Sequence, residues 1–221
     1  MRLTSAPGAR SSTRGFRRRS FDVVLGVVGV VLLAATGLQA DSGVVESWEE
    51  RLFHVVNDLP GWLYGPLWPF QQAGNLLVGP AVAAVAALLR RWRLSVAALG
   101  VTVLKLVLER AVKAVVERER PGSTVDDPVL RGDVSPDGFS FVSGHAVLVT
   151  ALAVVVAPYL RGRWKLVPAG VAVLVLFTRV YVGAHNPLDV VGGAGLGLLA
   201  GALVNLAVGV PKGEAEAGAA A

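Results

Sequence analysis

The sequence is poor in cysteine, in charge and in histidine. It has no cysteine, which excludes disulfides and thiolate metal sites and leaves the redox compartment undetermined. Charged residues make up 17% of the 221 residues, against roughly a quarter in a soluble domain. This is too little charge to cover a soluble surface. We therefore expect an integral membrane protein, in keeping with the mean hydropathy of +0.58.

Long apolar runs make up much of the chain. They lie at about 22–39, 64–89, 94–116, 143–160, 165–183 and 188–209. Each is near the ~20 residues that a helix needs to span a bilayer. The sequence predicts an all-α integral membrane bundle of about six transmembrane helices over residues 21–210. A disordered basic N-terminus (1–20) and a disordered tail (211–221) would flank it.

Basic residues mark one side of this bundle and acidic residues mark the other. Two short connections are basic and contain tryptophan, RRWR and RGRWK, and six arginines precede the first apolar run: Arg2, Arg10, Arg14, Arg17, Arg18 and Arg19. Cytoplasmic connections are rich in Lys and Arg, so we expect both termini to be cytoplasmic in the cell membrane. This placement disfavours nucleic-acid binding as the reason for the net charge of +5. A cleaved signal peptide is disfavoured by the length of the first run, although LLAATGLQA leaves it open.

The connection around residues 42–62 predicts a short amphipathic helix on the outer interface. Apolar residues recur there at helical spacing: Val45, Trp48, Leu52, Val55 and Val56. The stretch NDLPG would end the helix. His54 lies within it, and we expect an interfacial histidine rather than a substrate contact.

The first of three polar clusters is KAVVERERP. Lys113 and Arg120 are seven residues apart, so two helical turns would bring them to nearly one face, and Pro121 would stop the helix. Lys105 and Glu109 lie deeper on this face. A lone lysine at a helix centre costs roughly 3 kcal/mol, so Lys105 should be paired or should line a wet cavity. Taken alone, the cluster is more typical of basic side chains that reach the interface from a helix end.

The second cluster is SGH, directly before an apolar run. Ser143 is a natural N-cap, and the unpaired N–H groups of a helix N-terminus form an anion site. Gly144 would let the backbone approach a bound oxyanion, and His145 would project from the first turn. The alternative is an ordinary capping serine beside an interfacial histidine.

The third cluster is TRVYVGAHNPLDVVGG. Arg179 closes one apolar run, and Asn186 with Pro187 predicts the N-cap and first position of the last helix. Asp189 falls at the third position, from which it could reach back to His185. A histidine with a partnered carboxylate is typical of a nucleophile or base. A capping aspartate beside an unrelated histidine is the alternative.

All three clusters map to the predicted outer side. Three cations, two histidines, one carboxylate and a helix N-terminus would meet there, which suits a dianionic phosphate. One histidine could attack phosphorus, and the other could protonate the leaving oxygen. No carboxylate cluster suggests Mg²⁺, and no three-histidine or cysteine set suggests Zn²⁺. We therefore expect chemistry without a metal ion or another cofactor.

The three clusters resemble the motifs of the type 2 phosphatidic acid phosphatases, whose site is shared by glucose-6-phosphatase and the vanadium haloperoxidases. The family pattern is K-x6-RP, then PSGH, then SR-x5-H-x3-D. The matching residues, in the same order and with the same spacings, are Lys113 with Arg120-Pro121, VSGH at 142–145, and Thr178-Arg179 with His185 and Asp189. The resemblance covers about residues 45–205 and implies a PAP2/haloperoxidase-like helical core.

The resemblance also implies a role for each matched residue. His185 would be the nucleophile that forms a phosphohistidine, and Asp189 would orient and activate it. His145 would be the general acid for the leaving group. The phosphoryl oxygens would be bound by Lys113, Arg120, Arg179, Ser143 and the Gly144 N–H.

Three positions depart from the family pattern. Val142 replaces the proline of PSGH, so a rigid φ before the cap is lost. Thr178 replaces a serine and keeps the hydroxyl. Asn186 stands where an aromatic residue is common, and it would either alter substrate preference or serve only as the cap. None of the three removes a reacting group.

The implied activity is that of a metal-independent membrane lipid phosphatase with its site facing outside. The substrates would be polyprenyl diphosphate, phosphatidic acid or phosphatidylglycerol phosphate, with the tail in the bilayer. A lipid or glycan phosphotransferase using the same phosphohistidine is an open alternative. A non-catalytic headgroup-binding protein is a weaker one, because both histidines are present. The sequence indicates no nucleic-acid partner and no obligate protein partner.

Overall fold

The computed structural model describes residues 15–212, so most of the predicted disordered N-terminus and tail, with Arg2, Arg10 and Arg14, lies outside the described residues. Its helices are α1 (Ser20–Ala40), α2 (Ser47–Asn57), α3 (Tyr64–Ala73), α4 (Val78–Leu88), α5 (Trp92–Lys113), α6 (Pro121–Thr124), α7 (Gly144–Val156), α8 (Val167–Tyr181) and α9 (Pro187–Val208). Short 3₁₀ turns lie at Gly61–Leu63, Ala157–Tyr159 and Gly162–Leu166. The strands β1 (Phe16–Arg17) and β2 (Val210–Pro211) pair antiparallel.

Every predicted apolar segment contains a helix, and one contains two. The segment 64–89 is divided into α3 and α4, which are bent by 65° between Gly61–Ala73 and Val78–Leu88. Within residues 15–212, three helical stretches are long and apolar enough to cross a membrane, and the bent pair makes a fourth if it counts as one span. The all-α membrane bundle is therefore confirmed, while the count of six spans stays a prediction.

The α1 helix shows which faces meet lipid. Its buried residues are polar or small: Asp22, Gly29, Thr36 and Ala40. Its exposed positions are mainly large and apolar, including Val24, Val27 and Val31. A soluble helix has the opposite arrangement, because its apolar face turns inward. The outward apolar face of α1 therefore indicates contact with lipid tails.

Glycines let α9 pack closely against two neighbours. Gly29 of α1 faces Gly195 of α9, where an added Cβ would lie 2.8 Å from the Gly29 carbonyl oxygen. Gly193, Gly197 and Gly201 recur every four residues and face α7, and a Cβ on Gly197 would lie 2.6 Å from an α7 carbonyl oxygen. Small residues at such spacing let membrane helices approach backbone to backbone. The helix that begins just after His185 is thus held between α1 and α7.

The two ends of the bundle differ in charge. At one end, Arg93 donates to the Val208 carbonyl at 2.5 Å, and Arg91 donates to the Tyr159 carbonyl at 3.1 Å. Arg19 pairs there with the buried Asp22, which also accepts a hydrogen bond from Asn205. The other end contains the C-termini of α5 and α8 and the N-termini of α7 and α9. The predicted basic connections therefore lie at the end opposite the predicted site.

The predicted outer helix is α2, and it ends at Asn57 directly before the DLPG turn. Its exposed residues include Trp48, Leu52 and Val55, three of the apolar residues whose spacing predicted this helix. Its buried residues are Glu49, Phe53 and Asn57. The helix therefore turns an apolar face away from the protein and buries a largely polar stripe.

Candidate active site

Four helix ends bring the predicted site residues together. Lys113 is the last residue of α5, and His145 is the second residue of α7. Arg179 lies in the last turn of α8, which ends before Gly183, a residue in the left-handed region with φ +76°. His185 follows in the connection to α9, and Asp189 is the third residue of α9. Chain reversals between antiparallel helices thus place residues from distant motifs at one end of the bundle.

His185 and Asp189 form a buried pair. His185 is 3% exposed, Asp189 is fully buried, and His185 Nδ1 lies 3.8 Å from Asp189 Oδ2. This separation is an ion-pair distance and is too long for a hydrogen bond. The same Asp189 oxygen accepts the Asn186 N–H at 2.8 Å. The carboxylate therefore fixes the start of α9 while it faces the imidazole.

The surroundings of His185 favour its neutral form. Burial lowers the pKa of His185 well below its ordinary value, and the positive charges of Arg179, Arg120 and Lys113 lower it further. A neutral imidazole keeps the lone pair that an attacking nitrogen needs. The setting therefore suits a nucleophile at neutral pH.

The cations at the site differ in whether a protein group satisfies them: Arg120 and Arg179 each have an unsatisfied N–H among the described residues, whereas Lys113 is paired. Among residues 15–212, seven buried side-chain nitrogen and oxygen atoms have no hydrogen-bond partner. Six of them lie here: Arg118 Nε, Arg120 Nε, Arg179 Nε, Ser143 Oγ, His185 Nδ1 and Asn186 Oδ1. By contrast, Lys113 is engaged with Glu109 at 3.0 Å, and Glu109 also pairs with Lys105 at 2.7 Å. The sequence predicted that Lys105 would be paired, and its partner is Glu109.

The N-terminus of α7 faces a carboxylate. Ser143 is the N-cap by position, but its side chain makes no capping hydrogen bond, and its N–H donates to the Asp189 carbonyl at 3.0 Å. A Cβ on Gly144 would lie 2.6 Å from Glu109 Oε1. Gly144 therefore permits the close approach of an anion that the sequence predicted, and in this structure the anion is the Glu109 carboxylate.

His145 is covered by the break between α3 and α4. A Cβ on Gly74, the residue after α3, would lie 2.6 Å from His145 Cδ2 and 2.7 Å from its Cβ. The charges of Arg179, Arg120 and Lys105 act on the His145 ring. The bend in this helix pair therefore shapes one wall of the site, which the sequence did not indicate.

One local prediction is wrong. The helix that carries Lys113 does not continue to Arg120: α5 ends at Lys113, and Pro121 begins α6 instead of stopping a helix. The chain between them is held against residues 139–140, where Ser140 N–H donates to the Arg118 carbonyl at 2.7 Å. Alternate residues of an extended chain point to the same side. This lets Arg118 and Arg120 both face the site end, whereas on a helix they would point apart.

Two residues that were not predicted for the site join it: Glu49 of α2 and Arg118, which lies at a variable position of KAVVERERP. Arg118 and Glu49 are fully buried and form a two-pronged ion pair, with Nη1–Oε1 at 3.0 Å and Nη2–Oε2 at 2.5 Å. Arg118 Nη1 also reaches Asp189 Oδ1 at 3.3 Å. Burial alone would lower the pKa of Arg118, but Glu49 and Asp189 raise it above its ordinary value, so Arg118 is charged. Glu49, Phe53 and Asn57 recur at helical spacing, and this spacing could have marked them as the buried face of α2. A charged residue on an interfacial helix is expected to face water, so Glu49 was not assigned to the site.

The departures from the family pattern leave the site chemistry in place. Val142 is fully buried in an apolar cluster with Phe141. The Thr178 hydroxyl donates to the Val175 carbonyl at 2.7 Å, within its own helix. Asn186 is the N-cap of α9, and its amide donates to the Thr124 hydroxyl at 3.3 Å.

His54 lies apart from the site and faces Asp58, with Nδ1 and Oδ1 3.1 Å apart.

No group of three or more His, Cys, Asp or Glu suited to a metal ion occurs in the part of the chain that the structure describes.

Two solved structures share this fold. LpxE of Aquifex aeolicus superposes with a TM-score of 0.67 at 24% sequence identity, covering 73% of this chain and 98% of that chain. A transmembrane PAP2-type phosphatidylglycerolphosphate phosphatase from Bacillus subtilis gives a TM-score of 0.64 at 26% identity, covering 83% and 94%. The helical bundle is therefore one already seen in a transmembrane phosphatase of the PAP2 type.

Curated relatives match over a shorter stretch. An undecaprenyl-diphosphatase of Sulfolobus acidocaldarius is 38% identical over 96 residues, and a phosphatidylglycerophosphatase B of Bacillus subtilis is 40% identical over 103 residues. A decaprenylphosphoryl-5-phosphoribose phosphatase of Mycobacterium tuberculosis is 35% identical over 97 residues. These matches cover 42–43% of this chain. The chain spans about half the length of these relatives, 46%, 47% and 50%.

A family model matches the region that carries the three clusters. The model for the PAP2 superfamily covers residues 91–210, which include every predicted catalytic and phosphate-binding residue. This match spans more than half of the 221 residues. The chain belongs to the PAP2 superfamily.

Proposed function

We propose that this chain is a membrane lipid phosphatase that hydrolyses phosphate or diphosphate headgroups through a phosphohistidine on His185. The observation that carries the proposal is a buried His185 beside Asp189, among arginine N–H donors that have no acceptor within residues 15–212. Burial and the neighbouring cations lower the pKa of His185, which favours its neutral form. An anion with several oxygens satisfies those donors, and a phosphoryl group is such an anion.

The first step forms a P–N bond and breaks a P–O bond. Nδ1 of His185 faces Asp189, so Nε2 is the nitrogen left to attack phosphorus. The proton on Nδ1 and the positive charge that develops on the ring are stabilised by the Asp189 carboxylate. His145 gives its proton to the leaving oxygen, so the lipid departs as an alcohol or, when the substrate is a diphosphate, as a singly protonated lipid phosphate.

The second step returns the enzyme to its starting state. Water attacks the phosphohistidine, and His145, now without its proton, accepts one from the water. The P–N bond breaks, and inorganic phosphate leaves. Arg120 and Arg179 bind the phosphoryl oxygens throughout, with Lys113, the Ser143 hydroxyl and the Gly144 N–H completing the shell. These cations supply the neutralising charge, so the reaction proceeds without a metal ion.

The substrate class follows from the site and from the relatives. The site lies at the end of a bundle whose flanks are apolar and exposed, so a lipid tail can stay in the bilayer while its headgroup reaches His185. The names of the curated relatives refer to undecaprenyl diphosphate, phosphatidylglycerol phosphate and a decaprenyl-linked phosphoribose. Each is a phosphate carried on an apolar tail. The basic residues at the opposite end support a plasma-membrane topology with cytoplasmic termini and an outward-facing site.

The test is phosphate release by purified protein in detergent with EDTA present. The panel contains a polyprenyl diphosphate, phosphatidic acid and phosphatidylglycerol phosphate, together with His185→Ala. His54→Ala is the matched control, because His54 is a histidine outside the site. We expect release that persists in EDTA, is lost in His185→Ala and is unchanged in His54→Ala. Release that survives in His185→Ala would overturn the proposal, and phosphate passed to a lipid hydroxyl instead of water would favour the phosphotransferase.

A further inference from the structure

Three buried charges are linked beside the site. Glu49 of α2, Arg118 and Asp189 of α9 are all fully buried. Arg118 directs two N–H groups at Glu49, and only one of them, at 3.3 Å, is shared with Asp189. Glu49 Oε1 also accepts the Leu188 N–H at 2.9 Å, in the first turn of α9. A carboxylate from an outer helix therefore touches both the arginine and the helix start that position Asp189.

The formal charges of these three groups sum to −1. If Glu49 were neutral, the sum would be zero, and Arg118 would be free to turn both Nη1 and Nη2 toward Asp189. In a buried setting this change in charge and contacts has a large electrostatic effect on Asp189, because little water screens it. Asp189 would then have less negative charge to offer the His185 ring, which becomes positive during the attack on phosphorus.

We propose that Glu49 is a positioning residue for the reaction: it engages both Nη groups of Arg118 and limits Arg118 to a single 3.3 Å contact with Asp189, so that Asp189 remains an effective anion beside His185. This proposal rests on the proposed function. In the described part of the chain, the hydrogen bonds of the Glu49 carboxylate come from Arg118 and from the Leu188 N–H, so its effect on His185 would be transmitted through Arg118 and the start of α9.

Stability alone is a weak explanation for this arrangement. Replacing a buried ion pair by apolar residues of similar volume is often neutral or stabilising, because desolvation of the charges offsets their attraction. The α2 helix already has an apolar anchor, since Phe53 is fully buried one turn along the same face. A charged residue on this buried face is explained by its link to Asp189, because Arg118 contacts both carboxylates.

The test compares four variants in the purified full chain: Glu49→Gln, Arg118→Gln, the double variant, and Glu46→Gln as a matched control. Glu46 is exposed on the turn before α2. Gln keeps the size of Glu and an oxygen that can accept the Leu188 N–H, so Glu49→Gln removes the charge and retains the shape. Steady-state kcat and KM are measured on the preferred lipid, together with inhibition by inorganic phosphate.

We expect Glu49→Gln to lower kcat by about tenfold or more, with KM and phosphate inhibition changed less than twofold. The phosphate ligands are untouched, so binding is retained while the transition state loses its counter-charge. Arg118→Gln leaves two buried carboxylates without their positive partner, a sum of −2, and the double variant restores the sum of −1. The double variant should therefore have a higher kcat than either single variant, a coupling that a merely structural role would not produce. This comparison also applies if Glu49→Gln folds poorly.

Three results would overturn the inference: a Glu49→Gln kcat within twofold of the parent, a loss that appears only in KM, or a double variant no better than the worse single one. Failure of the proposed function looks different. In that case the parent chain itself releases no phosphate, or His185→Ala retains the activity.

Discussion

At the residue scale, the decisive feature is where the charges around His185 lie. Its imidazole is buried, and three basic side chains act on it from different elements: Arg179, Arg120 and Lys113. Asp189 Oδ2 lies 3.8 Å from its Nδ1. Burial and the positive charges lower the pKa of His185, which favours the neutral imidazole. In the proposed mechanism, a phosphoryl group would neutralise the arginines, and the carboxylate would then stabilise the cation that forms on His185.

The pH profile follows from this charge arrangement. The attacking form of His185 is neutral, so activity is lost when this residue takes a proton. Because its pKa lies well below the ordinary value of about 6.5, we expect the acid limb of kcat/KM to fall below pH 6.5. Measuring kcat/KM with a water-soluble short-chain substrate from pH 4 to 9 checks this. A midpoint of the acid limb at or above pH 6.5 would contradict the assignment.

The sequence was most informative at this scale, and its limits are also visible here. The three motifs named His145, Arg179, His185 and Asp189, because each reacting group lies in a short pattern with fixed spacing. The patterns gave no sign of Glu49 and Arg118, which pair over a separation of 69 residues. Such a contact depends on how α2 packs against α9. Helical periodicity along one segment reports only that segment's buried face.

At the element scale, the site is shaped by places where helices stop or bend. The end of α5 at Lys113 frees the following chain to bring Arg118 and Arg120 to the site. The bend between α3 and α4 places Gly74 against His145. The apolar run 64–89 predicted one continuous helix there, because membrane helices tolerate the glycines and prolines that it contains, and the packing of His145 cannot be read from it. Two of the site's walls therefore follow from tertiary packing.

The Gly74 contact predicts a selective defect. In Gly74→Ala the new methyl group would collide with the Cβ and Cδ2 of His145, so the whole imidazole must move. We expect kcat to fall by about tenfold or more, because the proton donor leaves its position, with inhibition by inorganic phosphate nearly unchanged. Gly65→Ala is the matched control, since a Cβ there meets open space. Equal kinetics for the two variants would rule out this role for the bend.

The glycine stripe on α9 predicts a stability defect. Gly197→Leu would drive a side chain into the α7 backbone, where even a Cβ lies 2.6 Å from a carbonyl oxygen. Overpacking of this kind costs typically about 1–3 kcal/mol, and more where backbone must move. We expect a lower Tm in detergent, whereas Val191→Leu, at an exposed position of the same helix, should leave the Tm unchanged. Identical melting of both variants would contradict the packing described for α9.

At the scale of the whole molecule, the basic connections and the site lie at opposite ends of one bundle. The arginines of RRWR belong to the first of these ends, as the contacts of Arg93 with Val208 and of Arg91 with Tyr159 show. β1 pairs with β2 directly after α9, and RGRWK follows the turn Ala157–Tyr159, so their arginines lie at the same end. Among the described residues, the apolar flanks of α1 and α5 are exposed between the two ends. Composition alone predicted this arrangement, because spanning length and the placement of Lys and Arg are set by the bilayer. The number of spans is harder to predict, since α7 is short and α3–α4 is bent.

The absence of cysteine makes the topology directly testable. A single cysteine at Asp137, in the acidic connection, should react with a membrane-impermeant maleimide added to intact cells. A single cysteine at Arg163, at the basic end, should react only after the cells are opened. Both side chains are exposed, so accessibility depends on the side of the membrane. The reverse pattern would place the site on the cytoplasmic side and overturn the proposed orientation.

The central claim is that the phosphoryl group passes through His185, and trapping that intermediate tests it most directly. Purified protein is mixed with a lipid substrate carrying labelled terminal phosphate, quenched in alkali within milliseconds to seconds, digested and sequenced by mass spectrometry. The account predicts a label that is stable in alkali, labile in acid and located on His185, with none in His185→Ala. Rapid phosphate release with the label on another residue, or with no label on the protein at any time, would contradict it.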